Sequence, residues 1–187
     1  MRLEQQLPLI LEALNSHGVI FYPTEAIYGL GCDPDSEQAV MALLEIKQRP
    51  VEKGLILIAD NYAQVMKYID DSKIPLDKRA EIFSSWPGAT TWLLPANSSA
   101  PKWITGQHTS IAVRITDHPI VKQLCCAFNK PLVSTSANIT GQTPISDISH
   151  ARSTFAEQVA VYVEGALGGN RQASQIKDAL SGKVIRE

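Results

Sequence analysis

Apolar positions recur along this 187-residue chain with two different periods, and the period changes from one segment to the next. Leu3, Leu7, Ile10, Leu11 and Leu14 repeat at three- and four-residue spacing, which predicts one buried helix face. Gly18 stands where a glycine would end that helix. Val19 to Tyr22 is a short apolar run closed by Pro23 and predicts a buried strand. Residues 36–47 open with Ser36 as an N-cap and carry Val40, Leu43 and Leu44 on one side, a second helix. Residues 54–59 (GLILIA) are continuously apolar, as in a strand covered on both faces. Further helices are predicted over 61–69, 75–85, 119–128 and 148–157. Further strands are predicted over 89–94, 110–115, 131–134, 159–163 and 183–186, with loops at 95–109, 139–147 and 165–174.

Strands alternate with helices, the pattern of an α/β domain whose sheet is covered by helices. The alternation breaks between residues 87 and 115, where two strands follow one another without a helix. A twisted, mixed sheet is therefore expected, not a regular doubly wound one. The length suits a single domain over residues 1–187 with its own core.

Composition narrows the field. Apolar residues make up 44% and charged residues 19%, as in a folded globular protein. A net charge of −2 removes any bulk-charge argument for nucleic-acid binding, so an anion site must be a local cluster of cations. Cys32, Cys125 and Cys126 are odd in number and include an adjacent pair. They form neither a disulfide framework nor a CxxC zinc pattern and read as reduced thiols in the cytoplasm. The N-terminus lacks the pattern of a signal peptide. No apolar run approaches the ~20 residues of a membrane span, so no membrane association is expected.

Polar residues interrupt the apolar plan at four places. Pro23 to Gly31 (PTEAIYGLG) reads as a shaped glycine turn, with the Thr24 hydroxyl beside a backbone that a ligand can approach; the same residues also suit a plain turn. Lys47, Arg49 and Lys53 put three cations within seven residues around a helix end. They suit a polyphosphate clamp, and equally a favourable interaction with the helix dipole, worth roughly 0.3–1 kcal/mol each. Arg114, inside the apolar run SIAVRI, costs several kcal/mol if buried alone. It is paired either with a carboxylate such as Asp117 or with an anionic ligand, and its place at a strand end favours the ligand. Ser134, Thr135, Ser136 and Asn138 follow a buried run and offer short donors for phosphate or carboxylate oxygens, or cap a turn. No Walker A, GxGxxG, HExxH or GxSxG pattern is present, and His17, His108, His118 and His150 read as surface or capping residues.

Taken in order, PTEAIYGLG (23–31), KQRP (47–50), Lys53, AVRI (112–115) and STSANITG (134–141) resemble one family over essentially the whole chain. This is the YrdC family, also called TsaC, in its single-domain bacterial form. Members condense L-threonine, bicarbonate and ATP to threonylcarbamoyl-AMP and pyrophosphate, the activated intermediate for threonylcarbamoyl modification of tRNA. The resemblance implies that Lys47, Arg49, Lys53, Ser136, Asn138, Thr143 and Arg186 hold ATP, with Lys47 and Arg49 as the catalytic cations. It implies that Thr24, Arg114, Ser134 and Ser174 hold threonine, Arg114 pairing with its carboxylate. Mg2+ would arrive on the triphosphate, with no metal site built by the protein. Partners would be transferases that modify tRNA, with direct RNA binding left open. Two places depart from the longer members: Gly54 and Ile58 stand where those have proline and histidine, and Gln175 replaces the usual Thr or Glu. Two rival readings are a non-catalytic binder of double-stranded or ribosomal RNA and a carbamoyl-transfer relative serving metal-centre assembly.

Overall fold

The structure, a computed structural model, describes residues 2–170 and 174–186. The N-terminal repeat forms α1 (Leu3–Asn15), burying Gln6, Ile10 and Leu14. Its stop differs from the expected glycine. His17 takes the left-handed conformation (φ 62°), and the amides of His17 and Gly18 donate to Leu14 O and Ala13 O, the paired bonds of a Schellman motif. Gly18 is required for space instead: a Cβ there would stand 2.8 Å from Ala13 O and 3.0 Å from the Ala160 Cβ.

β1 (Ile20–Pro23) is followed at once by a strand the sequence hid, β2 (Tyr28–Gly31), and the two pair antiparallel. The predicted turn shrinks to residues 24–27. The glycines lie within β2, and at Gly31 a side chain would collide with Val133 O and the Tyr22 ring. α2 (Glu37–Lys47) follows as predicted, with the Ser36 hydroxyl accepting from Ala39 N. β3 (Ile56–Ala59) comes next. The helix expected over 61–69 is only a 3-10 turn, Tyr62–Val65.

α3 (Leu76–Ser84), β4 (Thr90–Pro95), β5 (Ser110–Ile115), α5 (Pro119–Phe128) and β6 (Leu132–Ser136) match their predicted positions, and a one-turn helix, α4 (Lys102–Thr105), sits within the loop before β5. α6 (Ile148–Phe155) and a two-residue β7 (Val161–Tyr162) follow. β8 (Gln175–Asp178) was not predicted, whereas β9 (Val184–Arg186) was. The loop predicted over 165–174 falls partly on residues 171–173, outside the described residues.

The strands form one mixed sheet in the order β7-β1-β2-β6-β3-β5-β4-β8-β9. The pairs β1–β7, β3–β5 and β4–β8 are parallel and the other pairs antiparallel. The two faces are covered unequally. On one face Leu57, Val113, Val133 and Trp92 pack with Val40, Leu43 and Leu44 of α2 and with Ile82 of α3 in the larger core. On the other, Ile20, Tyr22, Ile58 and Leu132 pack under Ile10 and Leu14 of α1 and Leu124 and Cys125 of α5. These two helices cover only part of that face, and a cavity opens on the remainder.

Candidate active site

Strand alternation builds the floor of the site. Along β5, Ile111, Val113 and Ile115 enter the larger core while Ser110, Ala112 and Arg114 line a cavity. Ile56 of β3, Leu93 of β4, and Ser134 and Ser136 of β6 extend the floor. The β1–β2 turn forms one wall and Ser174, Ile176, Ile185 and Arg186 form another. The cavity measures about 560 Å³. Of the residues singled out in the sequence, Thr24, Arg49, Lys53, Arg114, Ser134, Thr135, Ser136, Ser174 and Arg186 all reach its lining. Lys47, Asn138 and Thr143 do not. Thr143 is exposed, one residue before Pro144, which is on the lining.

Each lining group is held by a specific contact. The Thr24 hydroxyl donates to Ile27 O at 2.7 Å, fixing the turn. Arg114, 8% exposed, finds its carboxylate in Glu25 and not in Asp117: Nη2 lies 3.3 Å from Glu25 Oε2. Glu25 is itself anchored, because Thr116 Oγ1 donates to its Oε1 at 2.6 Å. Arg49 Nη2 donates to Gly54 O at 3.0 Å, and burial works against the Arg49 charge. Ser174 shares a buried hydrogen bond of 2.9 Å with Thr91, and Arg186 Nη2 donates to Ser174 O at 2.9 Å. Burial, and then the charge of Arg114, pull the Arg186 pKa below its usual range. Two guanidiniums facing one cavity in this way favour an anionic guest.

Lys47 lies behind the lining and is 2% exposed. Its ammonium donates to Ser136 O, to Asn138 O at 2.9 Å and to Asn138 Oδ1 at 3.2 Å. Burial first, and the nearby Arg49 charge second, lower its pKa to about 8. The Ser136 hydroxyl donates to Asn138 Oδ1, and Asn138 Nδ2 donates to Ile139 O and Gln142 O, so the loop after β6 is internally cross-braced.

Sequence reasoning missed Glu25, Thr91 and His108. Glu25 carried a signal, being the only carboxylate within the glycine-rich segment 23–31. Thr91 had none. His108 lies on the cavity lining. His118, expected at the surface or as a cap, stands at the N-cap position of α5 but is 3% exposed, with Nε2 3.1 Å from Ala166 O. Among the described residues the three cysteines are free, Cys32 and Cys125 buried and Cys126 exposed. Also among the described residues, no group of three or more His, Cys, Asp and Glu is placed to hold a metal ion, and no helix is long and apolar enough to cross a membrane.

Fold and site together define an α/β domain with a cation-lined cavity on the uncovered part of a mixed sheet. The chain belongs to the Sua5/YciO/YrdC family, whose model, described as telomere recombination, matches residues 12–187. It is 66% identical over 168 residues to the threonylcarbamoyl-AMP synthase of Pseudoalteromonas translucida, covering 90% of each chain. It is 52% identical over 177 residues to the enzyme of that name from Escherichia coli O1:K1, covering 95% of this chain and 93% of the other. Among solved structures, P. abyssi Sua5 complexed with L-threonine superposes with a TM-score of 0.84 at 28% identity, over 94% of this chain and 51% of that one. The chain thus spans about half the length of that Sua5 protein. E. coli YciO shares the fold at a TM-score of 0.81 and 24% identity, over 97% of this chain and 90% of that one.

Proposed function

We infer that the chain condenses L-threonine, bicarbonate and ATP to threonylcarbamoyl-AMP and pyrophosphate, acting as a nucleotidyltransferase in tRNA modification. The observation that carries this reading is the convergence of Arg49, Lys53, Arg114 and Arg186 with the hydroxyl residues Thr24, Ser134, Ser136 and Ser174 on one cavity, added to an identity of 66% with a threonylcarbamoyl-AMP synthase.

Arg114, Thr24, Ser134 and Ser174 receive threonine. The guanidinium takes the carboxylate, and the hydroxyls orient the amine and side chain. Arg49, Lys53 and Arg186 grip the triphosphate, while Ser136, Asn138 and Thr143 fix the nucleotide. Threonine's amine adds to CO2 derived from bicarbonate and loses a proton, giving a carbamate. A carbamate oxygen then attacks the α-phosphorus, forming a new P–O bond as the bond to the β-phosphate oxygen breaks and pyrophosphate leaves. The chain supplies alignment, charge neutralisation and shelter from water. Positioning of this kind contributes roughly 7–11 kcal/mol to such a step. Mg2+ arrives on the triphosphate as part of the MgATP substrate. The adenylate then passes to transferases that modify tRNA in the cytoplasm.

The decisive experiment is mass-spectrometric detection of the adenylate. Product must require ATP, threonine and bicarbonate together. RNA binding with no product would instead favour the non-catalytic reading. Arg114→Ala should raise the threonine requirement at least about tenfold, a loss of ~1.4 kcal/mol of binding, with the ATP requirement little changed. Unaltered use of threonine would remove Arg114 from its assigned role.

A further inference from the structure

Lys47 and Arg49 are two residues apart in a motif that reads as one cationic clamp, but the backbone sends them to different places. Lys47 ends α2, and Gln48 adopts a left-handed conformation with φ 49°. The chain reverses there, and Arg49 N closes back onto Leu44 O at 3.0 Å. Arg49 comes out on the cavity lining, whereas Lys47 stays beneath the loop that follows β6.

At that position Lys47 is bound from both ends by the same loop. An ammonium group has three N–H donors, and three acceptors surround it: Ser136 O, Asn138 O and Asn138 Oδ1. Its backbone carbonyl accepts from Thr140 N at 2.9 Å and Thr140 Oγ1 at 2.7 Å. Five hydrogen bonds therefore join one residue of α2 to residues 136–140. To touch a phosphate, the ammonium would have to give up all three of its bonds; Ser136 O and Asn138 Oδ1 would keep the Asn138 backbone amide and the Ser136 hydroxyl as donors, and Asn138 O would lose the ammonium.

We propose that Lys47 is a positioning residue: it fastens the loop 136–140 to the end of α2, holding Ser136 and Asn138 in place for the nucleotide, and does not itself contact the phosphates. The inference rests on the nucleotide reading above and changes what Lys47 contributes to it. A phosphate clamp discriminates ATP from AMP. A residue that sets the loop affects whatever the loop holds, and AMP and ATP share that portion.

The test compares binding of AMP and ATP, by calorimetry, in wild type, Lys47→Met, Arg49→Met and Thr140→Val. Amide hydrogen exchange of residues 136–140 is measured in parallel, without nucleotide. Lys47→Met should weaken AMP and ATP by the same factor, on the order of tenfold, and speed exchange in the loop by a similar factor. Thr140→Val, which cuts only the hydroxyl bond to the Lys47 carbonyl, should do the same more mildly. Arg49→Met should weaken ATP more than AMP. If Lys47→Met weakens ATP at least about tenfold more than AMP, the ammonium grips phosphate and the proposal is overturned. Unchanged loop exchange in both Lys47→Met and Thr140→Val overturns it as well. Should Lys47→Met fail to fold, Thr140→Val decides by the same two readouts. If wild type binds neither nucleotide, it is the functional reading that fails, and the exchange measurement still decides whether Lys47 holds the loop.

Discussion

Arg114 and Lys47 are both buried cations beside the same cavity, 8% and 2% exposed, yet they are compensated in opposite ways. Arg114 has a carboxylate partner in Glu25, itself buried and anchored by Thr116. Lys47 has only neutral oxygens. A full counter-charge lets a guanidinium remain in a low-dielectric wall and still offer donors to a guest. Carbonyl dipoles hold an ammonium in place but do not offset its burial, which together with the nearby Arg49 charge lowers its pKa. The two sites therefore respond differently to loss of a partner, loss of the cation and a change of pH.

The largest effect should come from stranding a charge. Glu25→Leu leaves Arg114 without its anion and near Arg186, and should destabilise the fold by about 3–5 kcal/mol in urea unfolding. The double variant Glu25→Leu/Arg114→Met should recover most of that loss, because an ion pair replaced by apolar side chains is often neutral. A small cost for the single variant would show that solvent, and not Glu25, compensates Arg114. Lys47→Met should cost less, about 1–3 kcal/mol, since it removes bonds to neutral oxygens and strands no charge.

The smallest effect is one of pH. The Lys47 pKa is about 8 in the folded chain against an ordinary 10.5. Between these values the unfolded chain holds a proton that the folded chain has released, so this group's contribution to stability rises with pH. Measured against Lys47→Met, wild type should gain at most ~1 kcal/mol for each pH unit above 8. A difference that is flat across this window would mean that the ammonium is better solvated than its burial implies.

The sequence made some of this legible and hid the rest for physical reasons. α2 was readable because its signals are local: a serine cap followed by leucines at helical spacing. The cavity floor was readable because polar residues at the ends of apolar strands need a partner or a guest. β2 was not, because Gly29 and Gly31 look like turn residues until Val133 and Tyr22 are brought against them. β8 was not, because its four half-buried residues are ordered by parallel pairing with β4, a contact distant in sequence. For Arg114 the sequence left open a carboxylate such as Asp117 or an anionic ligand and favoured the ligand, whereas the β1–β2 turn delivers Glu25. Likewise, nothing in KQRP announces that Gln48 turns left-handed and parts the two cations.

The wall built from β8 and β9 has a consequence for how the protein fails. All four residues of β8 are half-buried and all three of β9 are exposed, whereas Val113 and Leu57 at the centre of the sheet are wholly buried. Peeling those outer strands exposes little apolar surface, so it demands far less free energy than melting the domain. On gradual warming, catalysis should therefore cease while the helices are still intact, and cooling from that point should restore turnover without any refolding of the core.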